Sequence, residues 1–245
     1  MKTVMILQAR MGSERLPGKV LLPVLKKPLL VWQIERMKRA KNADAIVLAT
    51  TTLKEDDPIA ALAKPLGIDL YRGSGNNVLL RYAEAAKFSH ADLVVRVTGD
   101  CPLIDPHVID LVILEHKKSG ADYTSNTRKQ TFPRGMDVEV FSSKILQEAA
   151  ESAHEPYDLE HVTSYIYRHP EKYSLHTVTL DPPQAEYRWT VDTQEDFTLI
   201  KNILEEIAPK NPNFTLSDLL QLLQDHPEWN KINAHIKQKP LHDSR

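Results

Sequence analysis

The chain has 245 residues, a formal net charge of -2 at pH 7 and a hydrophobic fraction of 42%. This length and composition suit one folded globular domain spanning residues 1–245. A charge so close to zero gives no global positive field, so we expect no nucleic-acid partner. The single cysteine, Cys101, excludes an intramolecular disulfide and a cysteine-based zinc cluster, and it favours the reducing cytoplasm. The N-terminal apolar run is too short for a signal peptide or a membrane span, so we expect no membrane partner.

Strands and helices alternate in the first half of the predicted fold. Continuous apolar runs, typical of central strands covered on both faces, occur at residues 3–7, 45–50 and 93–97. Helical spacing of apolar residues occurs between and after them, at residues 29–37, 59–66 and 78–86. This alternation predicts an α/β fold with an open sheet.

Two Asp-Pro pairs predict helix starts, because an aspartate can cap a helix whose first residue is proline. These pairs are Asp57-Pro58 and Asp105-Pro106. Gly67 and Gly120 follow helical segments and predict their ends.

From about residue 122 to 185 the pattern changes, and we interpret this part as an inserted subregion that serves substrate binding or dimerisation. Its predicted elements are a strand over 136–141, helices over 142–152 and 158–169, and a strand over 173–179. The core then resumes with a short strand ending at Val191-Asp192, a helix over 194–207 and a packing helix over 216–223. The polar stretch from Lys237 to Arg245 predicts a frayed end.

The first loop combines glycines with cations directly after the first predicted strand. Gly12 and Gly18 accompany Arg10, Arg15 and Lys19. Glycines allow a backbone to approach a ligand closely, and backbone N–H groups with three cations would cradle a triphosphate. Five residues rather than four separate the two glycines, and a valine follows the lysine, so an ordinary P-loop is disfavoured. A solvated charged turn is the alternative interpretation.

Two further loops contain carboxylates at predicted strand ends. Asp100 lies in Thr98-Gly99-Asp100-Cys101-Pro102, and Asp192 follows Thr190-Val191. Magnesium takes one or two protein carboxylates and completes its shell with phosphate oxygens and water, so this pair would suffice. Helix capping or a satisfied turn is the alternative for each carboxylate. We interpret Cys101 as a turn residue, because no histidine lies in its motif to activate it.

Three runs, residues 8–19, 98–104 and 191–196, resemble the cytidylyltransferase family that makes CMP-activated sugar acids. Residues 133–141 and 160–166 resemble its spore coat polysaccharide branch, the SpsF type. The resemblance implies a Rossmann-like, three-layer nucleotidyltransferase fold of GT-A-like type, with a mixed, mostly parallel sheet and an inserted dimerisation arm. It also implies a homodimer, CTP as the donor and Mg²⁺ as the cofactor.

The same resemblance assigns expected roles to individual residues. Arg10, Lys19 and Asp100 are the expected catalytic residues, and Asp100 and Asp192 the expected metal ligands. The nucleotide would be bound by Ala9, Arg10, Gly12, Ser13, Arg15, Lys19, Arg72, Ser74 and Thr98, with Arg72 and Ser74 at the base and ribose. The sugar acid would be bound by Arg134, Asp137, Glu139 and His161.

We therefore expect transfer of CMP from CTP to the anomeric hydroxyl of a sugar acid, with release of pyrophosphate, for a cell-surface or spore-coat polysaccharide. Legionaminate, pseudaminate and sialate-like acids are the expected acceptors. Enzymes for the eight-carbon acid usually have Gly-Asp-Glu-Pro where this chain has Gly99-Asp100-Cys101-Pro102, which leaves the acceptor open. One alternative is a sugar-nucleotide glycosyltransferase of the same fold, with Asp137-Val138-Glu139 as a weak Asp-x-Asp match. Another is a non-catalytic nucleotide-binding subunit.

Overall fold

A computed structural model describes residues 1–237, so the predicted frayed end beyond Lys237 lies outside the described residues. The strands are β1 Thr3–Gln8, β2 Pro23–Val24, β3 Lys27–Pro28, β4 Ala45–Thr51, β5 Asp69–Gly73, β6 Leu93–Thr98, β7 Tyr123–Ser125, β8 Glu139–Ser142 and β9 Leu175–Thr177. The α-helices are α1 Leu29–Met37, α2 Asp57–Ala60, α3 Val78–Phe88, α4 Pro106–Ser119, α5 Ser143–Ser152, α6 Pro156–His161, α7 Ser164–Arg168, α8 Gln194–Ile207 and α9 Leu216–Asp225. Short 3₁₀ turns occur at Lys19–Leu21, Lys54–Asp56 and Trp229–Lys231.

One seven-stranded sheet organises the fold, in the order β5-β4-β1-β6-β8-β7-β9. Only β8 runs antiparallel to its neighbours within this sheet, while β2 and β3 form a separate small hairpin. Successive side chains of a strand point to opposite faces. Met5 and Leu7 accordingly pack with α1, α4 and α8 on one face, and Val4 and Ile6 with α3 and α5 on the other. The expected three-layer α/β architecture with a mixed, mostly parallel sheet is confirmed.

The parallel pairing of β1 with β6 brings the loops that follow them to the same edge of the sheet. Gly99, directly after β6, donates its backbone N–H to the Gln8 carbonyl at 2.8 Å. A Cβ at Gly99 would lie 2.7 Å from that same oxygen, closer than such atoms approach. Glycine is therefore required for the second loop to lie against the end of the first strand.

The central strands β1, β4 and β6 match their predictions to within one residue at each end. Residues 69–73, for which the sequence pattern predicts no strand, form the edge strand β5. Its residues are exposed or half-buried except for the last, so it lacks the continuous apolar run of a central strand. The predicted helix over 59–66 shortens to α2 followed by turns.

The subregion from 122 to 185 supplies β7, β8 and β9, so this part of the chain completes the sheet. The helix predicted over 158–169 is two helices, α6 and α7, interrupted at Val162, whose φ is 61°. The prediction of a short strand that ends at Asp192 was wrong. This segment forms no strand, and Arg188 in it makes an isolated bridge with Arg134. A role for this subregion in dimerisation stays a prediction.

The two Asp-Pro pairs have different roles. Asp105 caps α4 by accepting the His107 N–H at 2.7 Å, and its second oxygen accepts the N–H of Leu216. Asp57 was wrongly predicted as a cap: it is the first residue of α2, makes no capping bond and pairs with Arg72 at 2.7 Å. Gly120 ends α4 in the left-handed conformation, as predicted. None of the helices in residues 1–237 combines the length and apolar character needed to cross a membrane.

Asp105→Ala should lower the free energy of unfolding by about 2 kcal/mol, because it removes a helix cap and strands the N–H of Leu216. Asp57→Ala is the matched control and should cost less than about 1 kcal/mol, since it removes one exposed ion pair. Urea unfolding followed by circular dichroism measures both. Equal losses in the two variants would contradict the assignment of the cap.

Candidate active site

A cleft of about 860 Å³ opens at the carboxyl ends of β1 and β6. The structure brings twelve of the predicted site residues into its lining: Ala9, Arg10, Gly12, Ser13, Arg15, Lys19, Thr98, Asp100, Arg134, Asp137, His161 and Asp192. Three others, Arg72, Ser74 and Glu139, lie outside the lining. Ligand sites in open α/β sheets occur at this edge, where parallel strands end.

The first loop folds back on itself at the mouth of the cleft. The carbonyl of Met11 accepts the N–H groups of Ser13 at 2.8 Å and Gly18 at 3.0 Å. The N–H of Met11 donates to the buried carboxylate of Asp56 at 2.7 Å, which fixes the loop to the segment after β4. Gly18 has a φ of 68°, a left-handed conformation that suits glycine and begins the 3₁₀ turn at Lys19.

Lys19 lies at the centre of an ionic cluster that joins three loops. Its Nζ lies 3.2 Å from Asp100 Oδ2 and 2.8 Å from Asp192 Oδ1, and Arg15 Nη2 lies 2.9 Å from Asp192 Oδ2. Burial opposes the charge on Lys19, yet the two carboxylates raise its pKa above the ordinary value. Burial likewise opposes ionisation of Asp192, but Lys19, Arg15 and Arg188 hold its pKa below the ordinary value. Lys19 and Asp192 are therefore both charged at neutral pH.

A buried network supports Asp192 from behind. Arg188 donates one hydrogen bond from Nη2 to Asp192 at 2.8 Å and another from Nε to Asp196 at 2.9 Å. Asn233 donates a hydrogen bond to Asp196 at 2.8 Å. Asp196, in the first turn of α8, also accepts the N–H groups of Asp192 and Thr193. Sequence reasoning missed Arg188 and Asn233, because both lie outside the run 191–196 that contains their partners.

Asp100 is held just as closely by its neighbours. Thr98 Oγ1 donates to Asp100 Oδ1 at 2.6 Å, and the N–H of Val191 donates to the Asp100 carbonyl at 2.9 Å. Cys101 is buried, and burial together with the Asp100 charge raises the pKa of its thiol well above the ordinary value. A thiol in this state is a poor nucleophile at neutral pH.

The far end of the cleft contains Arg134, Asp137 and His161, together with Tyr157. Asp137 Oδ1 is buried and has no hydrogen-bond partner within the described part of the chain. Burial raises the pKa of Asp137 to about 6, opposed in part by Arg134. Burial lowers the pKa of His161, so its imidazole is neutral at pH 7.

Glu139 lies behind this end of the cleft and holds a cleft residue, Arg96. Its carboxylate accepts hydrogen bonds from Arg96 Nη1, from the Tyr123 hydroxyl at 2.5 Å and from Thr163 Oγ1 at 2.6 Å. Arg96 itself lines the cleft, and sequence reasoning missed it. The sequence did contain a signal for this residue, because an arginine within the otherwise apolar run of β6 is unusual and indicates a specific role.

Arg72 and Ser74 do not line the cleft, and their side chains bond to backbone groups of nearby loops. Arg72 donates to the carbonyls of Thr51 at 2.8 Å and Leu53 at 2.9 Å, which fixes the loop after β4. Ser74 accepts the N–H of Asn77 at 3.0 Å, just before α3.

Residues 4–228 match the family model described as Cytidylyltransferase. The spore coat polysaccharide biosynthesis protein SpsF of Bacillus subtilis (strain 168) is 35% identical over 232 residues, which are 91% of this chain and 94% of SpsF. A cytidylyltransferase structure from Leptospira borgpetersenii serovar Hardjo-bovis has a TM-score of 0.89 at 33% identity, covering 98% of this chain and 99% of that one. A CMP:2-keto-3-deoxy-manno-octonic acid synthetase complexed with CTP shares the fold, with a TM-score of 0.62 at 18% identity over 84% of this chain and 99% of that one.

The family model spans nearly the whole described chain, including all three loops that meet at Lys19. The SpsF and Leptospira matches extend over almost the full length of both partners. This chain therefore belongs to the cytidylyltransferase family and is a nucleotidyltransferase.

Proposed function

We propose that this protein transfers CMP from CTP to the anomeric hydroxyl of a sugar acid, releases pyrophosphate, and supplies the synthesis of a cell-surface polysaccharide. The observation behind this proposal is a single cleft with loop cations and two carboxylates at one end and a separate polar end for an acceptor. The name of SpsF refers to a spore coat polysaccharide, and that of the CTP-bound synthetase to a sugar acid. A homodimer using residues 122–185 and a cytoplasmic location are part of the proposal.

The triphosphate would lie over the first loop. Gly12 and the cations Arg10, Arg15 and Lys19 line the cleft there. The N–H groups of Ala9, Met11 and Ser13 already donate within the protein, so the cations would provide most of the contacts to phosphate. As the α-phosphorus to pyrophosphate bond breaks, these cations would stabilise the charge that develops on the leaving group. Arg72, in β5, and Ser74, just after it, lie outside the lining, so their proposed contacts to base and ribose would need this edge of the sheet and the nucleotide to approach each other.

Asp100 and Asp192 would hold a Mg²⁺ ion. They offer hard oxygen ligands, and they already share one cation, the Lys19 ammonium, so the place between them suits positive charge. Residues 1–237 contain no group of three or more His, Cys, Asp and Glu side chains that could hold a metal ion, so phosphate oxygens and water would complete the shell. When bound, the ion would neutralise phosphate charge and polarise the α-phosphate.

The acceptor would lie at the far end of the cleft, against Arg134, Asp137 and His161. The unpartnered Asp137 Oδ1 would accept a hydrogen bond from an acceptor hydroxyl. The anomeric hydroxyl would then attack the α-phosphorus in line with the departing pyrophosphate and release its proton to water in the cleft, so positioning supplies most of the catalysis. No covalent enzyme intermediate is required, and the buried Cys101 offers no nucleophile for one.

The glycosyltransferase alternative finds less support in the geometry. It requires Asp137 and Glu139 to offer two carboxylates to a metal in the cleft. Glu139 lies outside the lining and is already bonded to Arg96, Tyr123 and Thr163. A turnover assay separates the proposed enzyme from a non-catalytic subunit.

We expect the protein, CTP, Mg²⁺ and one member of a panel of sugar acids to release pyrophosphate, while ATP, GTP or UTP gives less. The panel contains 3-deoxy-manno-octulosonate, N-acetylneuraminate, legionaminate and pseudaminate. A coupled pyrophosphate assay measures the rate, and mass spectrometry identifies the CMP-sugar. Cleavage of a sugar nucleotide instead would support the glycosyltransferase, and CTP binding without turnover would support the non-catalytic nucleotide-binding subunit.

Lys19→Ala and Asp100→Asn should each lower kcat by about 10²- to 10³-fold, because the first removes a cation that would stabilise phosphate charge and the second removes a carboxylate that would hold Mg²⁺. Lys27→Ala is the matched control: this lysine pairs with Glu35 outside the cleft lining and should leave kcat within about twofold. Thermal unfolding checks that all three variants are folded. Full activity in either active-site variant would rule out the proposed roles.

The Cys101 thiol should resist alkylation by iodoacetamide at pH 8 in the folded protein and react after unfolding in guanidinium. Burial both shields the sulfur and keeps it protonated. Intact-mass spectrometry measures labelling, and the pyrophosphate assay is run on the treated protein. Rapid labelling with loss of activity would show that the thiol is accessible to the cleft.

A further inference from the structure

Arg96 is a charged residue in the middle of the sheet. It lies on β6 directly opposite Glu139 on the antiparallel strand β8, and its neighbours on β6 are apolar up to Thr98. Directly opposite residues share one face of a sheet and lie close enough to pair. A buried ion pair in this position contributes little to stability compared with well-packed apolar side chains, so its presence beside a cleft needs another reason.

Glu139 fixes the position of the Arg96 guanidinium. The carboxylate is 7% exposed and accepts three hydrogen bonds, from Arg96, Tyr123 and Thr163. Thr163 reaches it because Val162, fully buried with a φ of 61°, makes a tight turn in which the Thr163 N–H donates to the His161 carbonyl at 2.6 Å. A β-branched residue at positive φ costs free energy, and such strain concentrates at functional sites. The turn places His161 in the cleft and Thr163 on Glu139.

One nitrogen of this fixed guanidinium lacks a hydrogen-bond partner within the described part of the chain. Nη1 donates to Glu139, whereas Nε is buried and has no hydrogen-bond partner among residues 1–237. Nε and Nη2 form the side edge of an arginine, whose two parallel N–H groups match the two oxygens of a carboxylate. A buried donor without a partner is costly, so an oxygen that enters the cleft here would gain a strong interaction.

The position of Arg96 suits an acceptor that must reach the α-phosphate. It precedes Thr98 by two residues on the same strand, about 7 Å along the chain, and Thr98 bonds Asp100. It lines the same cleft as Arg134, Asp137 and His161. Of the other candidates for an anion, His161 is neutral at pH 7, and Arg134 lies beside the carboxyl of Asp137.

We propose that Arg96 binds the carboxylate of the acceptor sugar acid through its Nε and Nη2 atoms. This inference rests on the proposed function and adds a residue that selects the acceptor class. In a cyclic 2-keto sugar acid the anomeric carbon carries both the carboxylate and the attacking hydroxyl. Holding the carboxylate therefore orients the nucleophile, and a neutral aldose would leave the guanidinium edge unpaired.

Two variants separate recognition from folding. Arg96→Lys keeps the charge beside Glu139 but loses the fork, so the KM of the acceptor should rise about 10- to 100-fold while the KM of CTP changes less than about twofold. Arg96→Met combined with Glu139→Gln removes both charges and avoids leaving a buried carboxylate alone. Arg128→Met is the control, because this exposed arginine stacks on Tyr167 outside the cleft lining. Thermal unfolding confirms that each protein is folded.

The decisive measurement compares the acid that the pyrophosphate assay selects with its carboxamide, in each protein. The wild type and the Arg128→Met control should prefer the acid by about 100-fold in kcat/KM, and the double variant should show a ratio near one. Two results would overturn the role of Arg96 while leaving the proposed function intact. One is an unchanged ratio in the double variant, and the other is an equal rise in the KM of CTP and of the acceptor in Arg96→Lys. A wild type that releases no pyrophosphate with any acid would overturn the proposed function and this inference with it.

Discussion

The arrangement of the cleft depends on one ammonium group. Lys19 Nζ joins Asp100 and Asp192, which are 81 and 173 residues away along the chain. Because both carboxylates lie within 3.2 Å of the same ammonium nitrogen, they would repel each other if that cation were removed. The parallel pairing of β1 and β6 and the glycine at position 99 bring two of the three loops together, and Arg188 positions the third. The fold thus brings together the charged groups that we propose to bind phosphate and metal.

The sequence predicts those parts of the fold whose signal is local. The central strands are continuous apolar runs because both faces are covered, whereas the half-exposed edge strand β5 has no such pattern and was missed. Identical local signals can have different outcomes: Asp105 caps a helix and Asp57 does not. The difference comes from tertiary partners, Leu216 for the first and Arg72 for the second, which no short window of sequence contains.

The same distinction applies to the site. Loops dense in glycine and charge led to Lys19, Asp100 and Asp192, which the structure brings together. Arg96 and Arg188 were missed because their roles depend on Glu139 and Asp196, and Glu139 was expected to face the sugar although it is bonded behind the cleft. Motif reasoning finds the residues that face a ligand in a loop. It does not find those that act through a partner on another strand or helix.

The two ends of the cleft differ in a way that matches their proposed tasks. At the phosphate end the outer groups, Arg15 and Asp100, have side chains that are 30% and 25% exposed, whereas Lys19 and Asp192 between them are 12% and 14% exposed. The outer groups can therefore exchange their contacts for a ligand or water. At the acceptor end Glu139 is 7% exposed and holds three bonds, and these must break together before the wall can move. Every nucleoside triphosphate offers similar phosphate charge, so an adaptable cluster suffices for it. Discrimination among sugars depends on a pocket that keeps its shape, and the buried network around Glu139 provides that rigidity.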